Sequence, residues 1–113
     1  MLKWLKEKAQ KAAANQCRLN IGLNVRTLVS VANQADERIH QTGGSNPADI
    51  NRVGATQHRL LDDIALGLAN GLGLQAIESA FDEALAKEKV GNGARMAIDH
   101  VLNHVRSELK RAG

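Results

Sequence analysis

The stretch "NQCRLNIGLNVRTLVSVANQADERIHQTGGSNPAD", residues 15–49, decides the fold class. From Gln16 to Gln41 the apolar residues Ile21, Val25, Leu28, Ala32, Ala35 and Ile39 recur at steps of four and three. That spacing stacks side chains on one stripe of a helix turning about 100° per residue, so the stripe reads as a core face. The tail of the stretch then breaks the helix with two glycines and the only proline. Asn46 precedes Pro47, whose fixed φ suits a first helical position, and Asp49 falls where a carboxylate favours the positive end of the helix dipole. A second helix is therefore expected from about Pro47.

Downstream, Ile50, Val53, Leu60, Leu61, Ile64 and Leu68 share one face, with Gln57 in its middle, up to "LANGLG", where Gly71 and Gly73 end or bend the helix. Leu74, Ile77, Phe81, Ala84 and Leu85 mark a third helix, closed by "GNG", in which Gly91 suits a left-handed C-terminal position and Asn92 a cap for the next helix. A last helix from about Gly93 to Arg111 puts Ala97, Ile98, Val101, Leu102, Val105 and Leu109 inward. Period-two alternation is absent, so the fold reads as all-α, an antiparallel helical bundle of four to five helices. The expected helices differ in length, about 25 residues for the first two and about 17 for the others, or roughly 37 Å and 26 Å at 1.5 Å per residue. The ends of the long pair then need cover, either from the N-terminal segment folding back or from a second copy of the chain.

Upstream, "MLKWLKEKAQKAAANQCRLN" carries the only tryptophan on a basic run. Leu2, Leu5, Ala9, Ala12 and Ala13 form a thin apolar stripe there, Trp4 points away from it, and the lysines take most of the rest. This stripe is rotated by about a third of a turn from the Ile21 stripe. Either the helix kinks near residues 14–20, or one long helix meets the bundle with its second half and something else with its first. The domain organisation expected is thus a basic amphipathic helix or extension over 1–14 and a single bundle domain over 15–113.

A chain of 113 residues and 12.2 kDa is the size of one domain. With no tyrosine, and Phe81 and Trp4 as its aromatics, it offers little to stack on a base or a flat cofactor. Cys17 is alone, which rules out an internal disulfide and suits the cytoplasm. The formal charge of +3 is unevenly spread. Residues 1–18 hold Lys3, Lys6, Lys8, Lys11 and Arg18 against Glu7, or 5 − 1 = +4, and the other 95 residues carry 10 − 11 = −1. The body is not a polyanion binder by bulk charge. No turn-linked helix pair carries the Arg, Asn and Gln cluster of a major-groove reader, which argues against nucleic acid. An apolar run long enough for a signal peptide or a membrane span is also missing.

Catalytic patterns are likewise wanting, and the chain reads as not an enzyme. His100, His104 and Glu108 lie four apart on one helix edge, but two imidazoles need further ligands to make a zinc site, and a hydrogen bond from His104 to Glu108 is the expected use of the row. Asp62 and Asp63 are adjacent and so point about 100° apart, wrong for a shared substrate. Gly67 and Gly71 are spaced for close helix approach, with fraying as the duller reading. The glycines of "GLGLQA" lack a phosphate-loop Lys. No catalytic, metal or cofactor residue is assigned. The remaining expectation is a cytoplasmic protein-interaction module, an adaptor or regulatory subunit that pairs as a homodimer and meets a protein partner through Leu2, Lys3, Trp4, Leu5, Lys6, Lys8 and Lys11. The alternative is a basic-tailed binder of nucleic acid or of an anionic membrane surface.

Overall fold

The computed structural model describes residues 2–112 as four helices: α1 (Leu2–Thr42), α2 (Pro47–Ala69), α3 (Leu74–Leu85) and α4 (Asn92–Ala112). It is an all-α bundle, and no strand occurs among the described residues. The expected segments 1–14 and 15–113 are covered except for Met1 and Gly113, which lie outside the described residues.

α1 is unbroken through residues 14–20, so of the two expected arrangements the long helix is the one found. At 41 residues it spans about 60 Å at 1.5 Å per residue, which accounts for a longest molecular dimension of 62 Å against 28 and 23 Å across. The radius of gyration of 16.0 Å exceeds the roughly 13 Å of a compact chain this size. α1 packs against each of the other helices, and α2 also meets α4.

Side-chain pairs give the directions. Asn24 donates to Asp63 and Arg38 pairs with Asp49 at 3.1 Å, so α2 runs antiparallel to α1. Arg18 meets Glu83 at 2.6 Å and Arg26 meets Glu88 at 2.8 Å, so α3 rises beside α1. The amide of Gly93 donates to Asp36 at 2.9 Å, and α4 descends from there to the Arg106–Glu78 pair. The core is aliphatic around one ring, with Ile21, Val25, Leu28, Leu60, Ile64, Ile77, Phe81, Ile98 and Val101 at most 2% exposed. Gln57, in the middle of an apolar face, is satisfied by donating to the Ala97 carbonyl at 3.1 Å.

Two expected core residues stand outside. Ile39 is 41% and Ile50 58% exposed. α4 begins beside Asp36, so the last turn of α1 and the first of α2 continue alone, with no third helix over them. The N-terminal segment runs the other way along the α1 axis and does not fold back on this end. Asp49 is buried here without a well-aligned hydrogen bond, balanced by the Arg38 guanidinium, by Arg52 at 3.8 Å and by the N-terminal end of α2. At the start of α2 the Asn46 side chain caps the Ala48 amide at 2.9 Å.

The two glycines in "LGLANG" do different jobs. Gly67 is buried, and a Cβ on it would meet Leu72 Cδ1 at 2.8 Å, so its lack of a side chain leaves room for Leu72 to fold back under the end of α2, with Cys17 and Ile21 of α1 in ordinary contact distance at 3.6 Å. Gly71, at φ +94°, closes α2 with the Leu72 amide bonded back to the Gly67 carbonyl at 2.9 Å.

The expectation for "GNG" needs correcting. The positive-φ residues among those described are Gly43 and Gly71, so Gly91 is not left-handed, and Asn92 already lies in α4. Capping comes instead from α1: Asn33 accepts from the Gly91 amide at 3.0 Å and donates to the Lys89 carbonyl at 2.7 Å, and Asp36 accepts from Gly93. A Cβ on Gly93 would collide with that carboxylate. Asp36→Ala, which leaves the first turn of α4 uncapped, is expected to cost about 1 kcal/mol in urea unfolding, with Asp36→Asn closer to the parent. An unchanged midpoint in Asp36→Ala would show that water replaces the cap at no cost.

Candidate docking arm

The first quarter of α1 stands clear of the bundle. Residues 2–12 are exposed, Ala13 and Ala14 are half-buried, and Cys17 is the first buried residue. The sequence explains why this segment is helical without tertiary support: between Leu2 and Ala14 it has only Leu, Lys, Glu, Gln, Ala and one Trp, nearly all strong helix formers, and no glycine or β-branched residue. Its helix simply continues the one nucleated in the bundle.

All seven residues expected to bind a partner lie on this arm. Leu2, Trp4 and Leu5 are 75%, 61% and 52% exposed, and Lys3, Lys6, Lys8 and Lys11 are exposed too. They do not share one face. Trp4 sits more than a quarter-turn from Leu2 and Leu5, where Lys8 Nζ lies 5.3 Å from its ring centroid, a cation–π contact worth about 0.5–1 kcal/mol at an exposed site.

Beside the arm is a part of the surface that the apolar stripes did not indicate. Leu19 and Leu23 are 63% and 60% exposed, and they flank a groove of about 500 Å³ between α1 and α3. Gly22, Ala80 and Ala84 keep its floor shallow, and Arg18, Arg26, Glu83 and Lys87 edge it. The signal for these leucines was present in the spacing. Leu2, Leu5, Ala9, Ala12, Gln16, Leu19 and Leu23 step by three and four without a break, a seam about 150° round the helix from the buried stripe. Four leucines are therefore held in water along the solvent side of one helix.

The other constellations do not assemble chemistry. His100 and His104 are exposed, Glu108 pairs with Arg111 at 3.8 Å in place of the expected His104 bond, and no group of three or more His, Cys, Asp or Glu converges to hold a metal among the described residues. Asp62 is 71% exposed beside His58 at 3.8 Å, and Asp63 accepts from Asn24. Cys17 is buried. A second groove at the start of α4 is occupied at its amide end by the Asp36 carboxylate. No helix among the described residues is long and apolar enough to cross a membrane. What the surface offers is apolar contact area bordered by fixed positive charge, which suits binding. No protein-family model, curated protein or solved structure matches this chain.

Proposed function

We propose that the protein is a small cytoplasmic interaction module, an adaptor or regulatory subunit without catalytic activity, that docks other protein through the projecting arm of α1 and associates with itself. The observation that carries this reading is the arm: about 16 Å of ordered helix that contributes nothing to the core yet holds Leu2, Trp4 and Leu5 in water between four lysines. Exposed apolar side chains on a preorganised helix bind at a small ordering cost, and the lysines steer encounter with acidic surfaces.

Deleting residues 1–14 tests it. The remnant is expected to keep its helical signal and one cooperative unfolding transition, because the deletion removes two leucines and one indole that the core does not use. In paired captures from the native cell extract, the full chain is expected to retain proteins that the remnant loses. An unfolded remnant would mean that the arm is part of the fold and would end this reading.

Trp4 beside a run of lysines also supports a second reading, an anionic surface. Its signature is a blue shift of Trp4 fluorescence on phosphatidylserine vesicles that high salt reverses. The position of Trp4 away from Leu2 and Leu5 argues against it, since an interfacial helix puts indole and leucines on one side and lysines on the other.

A further inference from the structure

We infer that the exposed seam of α1 pairs with the same seam of a second copy, antiparallel, with the arm of each copy lying along α1 of the other on the Leu19–Leu23 rim of its α1–α3 groove. This pairing rests on the docking reading above and names the occupant. Its first support is the seam itself. Leu2, Leu5, Ala9, Ala12, Gln16, Leu19 and Leu23 form three heptads of alternating three and four steps on a face no other element covers.

The second support is a match of lengths. Antiparallel pairing that places residue i opposite residue 28 − i lays the free arm, 2–12, along residues 16–26 of the other copy. The α1 residues that line the groove run from Asn15 to Arg26, the same span to within one residue. In this register Leu5 faces Leu23 of the partner subunit, Ala9 faces Leu19 of the partner subunit, Ala12 faces Gln16 of the partner subunit, and Leu2 falls level with Arg26 of the partner subunit. Away from the Leu2 end, large side chains thus meet small ones or a single leucine, and Gln16 supplies the polar layer inside the seam, which resists slippage to other registers. The arrangement has a two-fold axis level with residue 14 and is closed.

Charge decides direction. A parallel pair would set two arms side by side, each with Lys3, Lys6, Lys8 and Lys11 against Glu7, or +3 beside +3 well inside a screening length of about 8–10 Å. The antiparallel pair moves the two Lys3 residues about 33 Å apart along the axis. It also brings Lys6 level with residue 22 of the other copy, on the α2 flank of α1, where Asp63 is fixed beside Asn24 by their hydrogen bond. Asp62, one residue away and turned about 100° from Asp63, is exposed, with His58 at 3.8 Å as its ion partner among the described residues.

Within one copy Lys6 and Asp63 are separated by about 27 Å of α1, so a zero-length bond between them must join two copies. The experiment mixes equal amounts of ¹⁴N and ¹⁵N full-length chain at tens of micromolar, adds a water-soluble carbodiimide, and reads cross-linked peptides by mass. Expected are mixed-isotope links from Lys6 or Lys3 to Asp62 or Asp63, with a light-scattering mass near twice 12.2 kDa. The double variant Leu19→Glu/Leu23→Glu alters side chains already in water, so it should keep the parent's helical signal, return to monomer mass, and lose at least tenfold of those links. Leu5→Glu on the arm should behave alike.

A parent chain that is monomeric, a dimer whose mixed links join Lys6 to Glu7 with none to Asp62 or Asp63, or a double variant that stays dimeric would each overturn the pairing. So would a Trp4 blue shift on phosphatidylserine vesicles by a chain that is monomeric without them. The two levels fail differently. A remnant 15–113 that does not fold ends the docking reading, whereas a folded remnant with a monomeric parent ends only the self-pairing.

Discussion

Phe81→Ala is expected to lower the unfolding free energy by about 3–5 kcal/mol, through lost apolar transfer and the cavity left where the ring sat. Phe81 is fully buried and the largest side chain so placed. It is the main anchor of α3, which at 12 residues is too short to persist as an isolated helix and depends on packing against α1. Because a domain this size is stable by only about 6–17 kcal/mol, the loss should shift the urea midpoint strongly. It should also loosen the α1–α3 groove, so amide exchange of α3 is expected to speed up more than that of α2. A loss under about 1 kcal/mol would mean that α3 is not held by this ring.

Truncating Ile64 or Val101 to alanine is expected to cost about 2–4 kcal/mol each. Ile64 is 2% exposed at the centre of the α2 face, and Val101 is fully buried on α4. One reports the α1–α2 contact and the other the α1–α4 contact, so urea unfolding of the two variants measures whether α1 is the common axis. Losses below about 1 kcal/mol for both would contradict the packing. A large loss for one alone would locate the looser helix.

These side chains show what the sequence made legible. Their spacing at three and four placed Ile21, Ile64, Phe81 and Val101 inward, because a buried stripe is a local periodic signal. The Pro47 start and the Gly71 stop were legible for the same reason, being single-residue backbone constraints. Less accessible was anything decided by a third element. Ile39 and Ile50 carry the right period and still face water, since α4 starts too late to cover them. The α4 cap comes from Asn33 and Asp36, more than 50 residues away, so the local "GNG" misled.

The arm divides the same way. Its residues and charge were evident from the N-terminal lysines, yet its straight continuation into α1 was one of two outcomes the rotated stripes allowed. Leu19 and Leu23 are harder to single out from sequence because they sit among the polar residues of "NQCRLNIGLN" and belong to a seam that faces away from the core. Two apolar periods run along this one helix, and only tertiary packing decides which of them the bundle buries.

The most direct measure of whether the arm joins two copies of the chain and is not part of the fold is light scattering of the full chain and of residues 15–113 side by side at tens of micromolar, with thermal unfolding of both. Expected are about twice 12.2 kDa for the full chain, a monomer for the remnant, and one cooperative transition in each. Equal association states for the two, or a remnant with no transition, would contradict it.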